Sequence, residues 1–283
     1  MTQHFTTITA LKNFLAEQRK KDKKWGFVPT MGALHAGHLQ LVERASQEND
    51  FVVVSIFVNP TQFNNANDLE KYPRNIEKDI QLLATLEQNI VVFTPEPQEM
   101  YPNKNLLKFD FGNLEKVMEG AFRAGHFNGV ALVVSKLFHI VQPQKAYFGQ
   151  KDLQQCRVVG CLVRDLDFDL TLIVCPTMRE KDGLAMSSRN TRLNETERKE
   201  AVKISQSLFE VEKKIKNKED WSSIAQWIEN FYQNSILYLE YFLLADNENL
   251  TILNDYQNQK KIAICVAAYA GEVRLIDNIV VDI

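Results

Sequence analysis

Residues 25–60 read WGFVPTMGALHAGHLQLVERASQENDFVVVSIFVNP. WGFVPT and FVVVSIFVNP are short apolar runs rich in β-branched residues, and HLQLVERASQEN between them carries helical spacing. Strand, glycine turn, helix and strand in that order form the βαβ unit of a parallel sheet. The pattern continues outward. IEKDIQLLATLEQN reads as a helix, IVVFTPEP as a strand, ALVVSKLFHIVQ as a buried helix and KAYFGQKD as strand and loop. QQCRVVGCLVRDL is a further helix and LTLIVCPTM a further strand. This alternation predicts an α/β fold, a Rossmann-like doubly wound parallel sheet over residues 1–177, with ligands beyond the carboxyl ends of its strands.

After Asn190 the composition changes. NETERKEAVKISQSLFEVEKKIKNKEDWSSIAQWIENFYQ is charged and helical, and ILYLEYFLLAD, KKIAICVAAYA and VRLIDNIVVDI then return as strands. Segregated helix and sheet predict a small α+β domain over 178–283, with the boundary near 176–182. No internal repeat at a fixed period is visible.

The 283 residues carry a formal net charge of -3, which gives no global basic field for nucleic acid, so an anionic substrate must be met by local groups. Cys156, Cys161, Cys175 and Cys265 lack CxxC spacing and sit among apolar neighbours, the pattern of buried reduced thiols. The first 24 residues read as an amphipathic helix with no basic-then-apolar signal region, and no apolar run approaches the ~18–20 residues of a membrane span. A soluble, cytoplasmic protein with no membrane partner is the expectation.

PTMGALHAGHL (29–39) sets His35 and His38 three residues apart where the first strand gives way to a helix. Gly32 and Gly37 permit a tight turn and close backbone approach, and the helix start points unpaired N–H groups at whatever lies over the strand end. Three readings stand: a helix cap with a packed second histidine, a metal site, or a phosphate cradle in which the imidazoles donate to phosphate oxygens. The metal reading is the weakest, because no other histidine or cysteine falls at complementary spacing. Asn-Pro-Thr in FVNPTQF (57–63) is a turn by its own chemistry, with Gln62 either solvated or aimed at a ligand. Gly120, Gly125 and Gly129 in EGAFRAGHFNGV (119–130) predict an ordered loop leading into a helix, with His126 either a loop clamp or a satisfied structural histidine. In YFGQKDLQQ (147–155), Lys151 and Asp152 open a helix, either as an exposed capping pair or as a cation and carboxylate beside a nucleotide. Two hydroxyls and a guanidinium in REKDGLAMSSRN (179–190) form an anion clamp on a glycine-hinged loop.

HAGH resembles the HxGH signature of the adenylyl- and nucleotidylyl-transferring superfamily, and the longer PTMGALHAGHL resembles the pantothenate synthetase (pantoate–β-alanine ligase) family. FVNPTQF, EGAFRAGHFNGV, YFGQKDLQQ, REKDGLAMSSRN and AAYAGEVRLIDNI match further blocks of that family in order, so the resemblance spans residues 29 to about 280. It implies an ATP-dependent condensation of pantoate with β-alanine through an enclosed pantoyl adenylate. The implied catalytic residues are His35, His38, Lys151, Ser187, Ser188 and Arg189, with Pro29, Thr30, Met31, Gly37, Phe148, Gly149, Asp152, Met178 and Met186 completing the ATP site. Gln62, Gln155, Asn59, Met31, Tyr72, Glu119 and His126 are implied for pantoate and β-alanine, with Arg74 a further candidate beside Tyr72 in DLEKYPRNIEKD.

The SSR loop takes the role of the synthetases' KMSKS loop, so the C-terminal domain is expected to form a lid. Mg2+ is expected on the ATP phosphates with no protein ligand assigned, and the family implies a homodimer. The chain departs from the family pattern at Ala124, usually proline, at Tyr269, usually arginine, and at Glu272; Arg274 and Asp277 read as a structural ion pair. Two rivals are a nucleotidylyltransferase acting on a phosphorylated acceptor and a non-catalytic nucleotide-binding module.

Overall fold

The computed structural model describes residues 3–64, 69–70 and 72–283; part of DLEKYPRNIEKD lies outside the described residues. Two strands form the centre of the fold, β2 (Trp25–Thr30) and β3 (Phe51–Ile56), joined by the helix Ala36–Glu48 and paired in parallel from Trp25↔Phe51 to Thr30↔Ile56. Both are buried almost throughout, because helices cover both faces of the sheet. The two-residue period sorts their side chains. Val28, Val52 and Val54 pack with Leu41, Val42 and Ala45 of the helix Ala36–Glu48. Trp25, Phe27, Phe51 and Val53 pack on the other face with the helices Ile8–Lys20, His126–Val141 and Leu153–Asp165.

With β1 (Gln3–Phe5), β4 (Ile90–Phe93), β5 (Lys145–Gly149) and β6 (Thr171–Cys175), they make a six-stranded sheet of order β1-β4-β3-β2-β5-β6, parallel at every pairing. The predicted Rossmann-like sheet is present. β1 is an addition: the N-terminal stretch holds this strand ahead of the helix Ile8–Lys20, and a three-residue edge strand is too short to show a period. Cys156, Cys175 and Cys265 are buried and Cys161 partly so, all four as free thiols.

Beyond β6 come the helices Glu195–Lys216 and Trp221–Gln233, then an antiparallel sheet of β7 (Tyr238–Asp246), β8 (Lys261–Ala270) and β9 (Val273–Asp282) in sequential order. Leu208, Val211, Ile224 and Ile228 of the helices pack on Ile262, Ile264, Val266 and Ile279 of this sheet. A smaller cluster joins the two sheets' surroundings: Met118, Phe127, Leu153 and Val158 meet Ala245, Ala263 and Cys265.

The stretch 119–130 corrects the expectation of a loop. A short helix spans Met118–Phe122, Gly125 takes the left-handed backbone (φ +77°) ahead of the next helix, and that helix begins at His126, so Gly129 lies inside it. Gly129 is needed for contact rather than for a turn: a Cβ there would stand 2.2 Å from the carbonyl oxygen of Thr61. The helix is thereby pressed against the turn Pro60–Gln62. Gly129→Ala is expected to destabilise the fold by about 1–3 kcal/mol, the usual range for overpacking against groups that cannot yield; chemical denaturation measures it, and an unchanged midpoint would contradict this packing.

Candidate active site

The sheet changes direction between β2 and β5, with β3, β4 and β1 on one side and β6 on the other. The ladder between β2 and β5 comprises Gly26↔Lys145 and Phe27↔Ala146, after which the strands run on without pairing and leave a crevice at their carboxyl ends. A cavity of about 220 Å³ occupies that place.

β2 delivers the loop that leads to the histidines. Thr30 Oγ1 donates to the Ser55 carbonyl (2.8 Å) and accepts from the Gly32 N–H (3.3 Å). Gly32 and Ala33 are both left-handed (φ +83° and +50°), a conformation alanine resists. The carboxylate of Asp79, 3 % exposed on the helix Ile76–Ala84, holds it by accepting from the N–H groups of Ala33 (2.9 Å) and Leu34 (2.8 Å).

His35 then caps the helix Ala36–Glu48. Its Nδ1 accepts from the Gly37 N–H (3.2 Å), the Nδ1 of His38 accepts from the His35 N–H (3.3 Å), and the two rings stand 4.1 Å apart. Burial, followed by the charge of Lys151, lowers His35 to about 4; burial, then His35 and Lys151, lowers His38 to about 3. Both rings are therefore neutral at pH 7, and with Nδ1 accepting, the proton of each sits on Nε2. They offer N–H dipoles to the cavity they line, not positive charge. A Cβ on Gly37 would lie 3.0 Å from the His35 ring, so glycine gives that ring its place over the helix start.

β5 delivers Lys151 on the single turn Gln150–Asp152. Asp152 occupies the N-cap position of the next helix without making a side-chain cap, so the capping alternative is not what this pair does. Lys151 Nζ lies 3.8 Å from the Asp152 carboxylate. From the other side come Met178 and Met186, joined by a backbone hydrogen bond of 3.0 Å, and Ser187, whose Oγ accepts from the Arg189 N–H (3.2 Å).

A sequence model of the pantoate–beta-alanine ligase family matches residues 3–280. The pantothenate synthetase of Cytophaga hutchinsonii is 47 % identical over 98 % of both chains, and that of Christiangramia forsetii 48 % identical over 99 % of both. The chain belongs to the pantoate–β-alanine ligase family. Its fold agrees with solved family structures: pantothenate synthetase from Thermus thermophilus superposes with a TM-score of 0.91 at 40 % identity, covering 98 % of each chain. The Francisella tularensis ligase, solved with beta-gamma ATP and beta-alanine, superposes at 0.80 with 37 % identity, covering 99 % of this chain and 97 % of that one.

In this family member, the cavity wall collects Pro29, Thr30, Met31, His35, Gly37, His38, Phe148, Gly149, Lys151, Asp152, Met178, Met186, Ser187, Ser188 and Arg189. Asn59, Gln62, Tyr72, His126 and Gln155 line it too. Several of these have structural duties. Asn59 donates to Gln62 Oε1 (3.1 Å) and the Gly129 carbonyl (3.1 Å) and accepts from Tyr101 (2.8 Å), while Gln62 Nε2 donates to the Met31 sulfur (2.8 Å). His126 is a clamp: Nδ1 donates to the Gln62 carbonyl (2.9 Å), Nε2 faces Arg123 (3.2 Å), and burial followed by the Arg123 charge lowers it to about 4.

Arg74 lies elsewhere, and Glu119 lines an adjoining cavity whose wall also includes Lys151, Asp152, Ser187 and Arg189. Arg74 is exposed, donates to the Leu69 carbonyl and lines a separate cavity. Glu119 faces a neighbouring cavity of about 570 Å³, bonded to Arg274 (2.7 and 2.6 Å) and Tyr241 (2.9 Å). Burial pushes Glu119 up, but the Arg274 guanidinium outweighs it and holds the carboxyl below its usual range. The expected Arg274–Asp277 pair is not formed, because Arg274 also takes Glu240 (2.9 Å) while Asp277 takes Arg179 (2.6 and 3.1 Å). Tyr269, at the position of the family's arginine, pairs across the strands with Arg274 and lines the larger cavity with it. Asp79 escaped sequence reading, since nothing local in IEKDIQ marks a carboxylate aimed at a loop 45 residues upstream.

Asp79→Ala leaves two N–H groups unmet beside a left-handed alanine and is expected to cost about 1–3 kcal/mol in a denaturant titration. The lowered histidines set a pH dependence. Between the ordinary value of 6.5 and about 4 the unfolded chain binds protons that the folded chain refuses, so stability falls as pH drops through that window. His126→Asn should shrink the difference in unfolding free energy between pH 7 and pH 5; an unchanged difference would mean that His126 is not held neutral.

Proposed function

We propose that this family member joins pantoate to β-alanine in two half-reactions in the 220 Å³ cavity. The observation that carries the reading is the pair of imidazoles, each accepting a backbone N–H at Nδ1, that line one cavity with Lys151 and the Ser187–Ser188–Arg189 loop. In the first half-reaction a pantoate carboxylate oxygen attacks the α-phosphorus of ATP. The bond to the β-phosphate breaks and pyrophosphate leaves with the electron pair. In the second, the amine of β-alanine attacks the mixed anhydride's carbonyl, the C–O bond to phosphate breaks, the amine gives up a proton, and pantothenate and AMP result.

Bringing an anion onto a polyphosphate requires donors already in place. His35 and His38 supply fixed N–H groups at a helix start, Lys151 and Arg189 supply charge, and the serines supply hydroxyls. Neither His35 nor His38 serves as a general base, since the lone pair of each already meets a backbone N–H. Gln62 and Gln155, with Asn59, Met31, Tyr72 and His126 around them, hold pantoate and β-alanine. Glu119, whose carboxylate holds Arg274, borders this group from the adjoining cavity that shares Lys151 and Asp152. Residues 178–283 act as the lid that carries the clamp loop over the nucleotide. Mg2+ enters as part of the nucleotide substrate, on its phosphates. The family resemblance supports a cytoplasmic homodimer.

His38→Ala and Lys151→Ala are each expected to slow pantoate-dependent pyrophosphate release by roughly 10²–10³-fold, the range for removing one preorganised donor. Single-turnover quench assays without β-alanine read this step, and release at the wild-type rate would remove the residue from it. AMP formation in the wild type must require ATP, pantoate and β-alanine together.

A further inference from the structure

Two adjacent side chains of β9, Asp277 and Asn278, are 3 % and 4 % exposed and reach out of their own sheet. The carboxamide nitrogen of Asn278 donates to two consecutive carbonyls, those of Gln150 and Lys151, at 2.9 Å each, and its oxygen accepts from Gln150 Nε2 at 3.4 Å. Both hydrogens of a planar NH₂ group are thus spent on the one turn that presents Lys151. That backbone cannot rotate without giving up one of these two hydrogen bonds.

Asp277 works in the other direction. Its carboxylate binds Arg179 through two bonds and accepts from the Asn278 N–H (2.8 Å). Arg179 opens the clamp segment: it forms a β-bridge with Ala185, and its Nη1 also donates to the Gly183 carbonyl (3.1 Å). A two-residue strut on the C-terminal sheet therefore grips the turn carrying Lys151 on one side and the root of the Ser187–Arg189 loop on the other.

We propose that Asn278 is a positioning residue for Lys151, and that with Asp277 it fixes the spacing between the two cationic elements that meet the nucleotide phosphates. The inference rests on the reading of Lys151 given above. Asn278 touches no reacting atom; it acts through the backbone of Lys151, so its effect must vanish when the lysine side chain is gone.

A double-mutant cycle on single-turnover pyrophosphate release tests this. Asn278→Ala is expected to slow release by roughly 10- to 100-fold, the scale on which small misplacements act, with the pantoate concentration for half-maximal rate changed less than about twofold. In the Lys151→Ala background the same substitution should change the rate by less than about twofold. Equal slowing in both backgrounds, or no slowing in the first, overturns the proposal. If Lys151→Ala alone releases pyrophosphate at the wild-type rate, the assignment of the lysine itself fails and the proposal falls with it. Should Asn278→Ala not fold at the assay temperature, Asn278→Ser, which keeps one donor, enters the same cycle and is judged by the same non-additivity.

Discussion

Strands β2 and β5 share two residue pairs and then separate, and the cavity that holds the candidate site fills the gap they leave. A gap at the carboxyl ends of parallel strands is lined by loops and helix starts, whose backbone N–H groups favour negative charge. The same enclosure makes it a poor place for an isolated positive imidazole. His35 and His38 are therefore lowered far below neutrality, and their Nδ1 atoms are turned to backbone donors. On the proposed reading, two polar but uncharged rings beside Lys151 and Arg189 suit a site that binds a triphosphate and releases pyrophosphate.

Full charges are handled differently. Glu119 and Asp277, buried beside this site, are each paired with a guanidinium group by two bonds, Glu119 with Arg274 and Asp277 with Arg179. Such pairs contribute little net stability over an apolar replacement, but losing one partner strands the other in a poor solvent. Their value here is geometric, because each pair joins segments far apart in the chain. Burial alone would raise Asp79, and two backbone N–H groups temper that effect while the loop to the histidines takes its left-handed shape.

Much of this is legible in the sequence. Continuous β-branched runs such as FVVVSI announce a sheet covered on both faces, and the helical spacing between them announces its parallel crossings. What stayed hidden has a common cause. Gln3–Phe5 is too short to show a period; Gly129 looks like a turn residue until the Thr61 carbonyl is seen above it. Arg274 and Asp277 read as an ion pair between strand and loop, yet both lie on one strand, three apart and so on opposite faces, and each finds its partner across the fold. The histidines were visible through the HAGH motif, whereas their protonation depends on neighbours that spacing cannot supply.

The bonds from β9 to the turn at Gln150–Lys151, together with the Glu119–Arg274 pair, bear on how such a chain can evolve. The C-terminal sheet cannot be traded between relatives as a self-contained cassette, because it carries half of each joint and the nucleotide-facing part carries the other half. Positions 119 and 274, whose side chains meet across the two parts, have to travel together, and position 278 has to keep a donor for the carbonyls at 150 and 151. Recombination that breaks this linkage group would yield chimaeras that retain every substrate-facing side chain yet hold them in the wrong register.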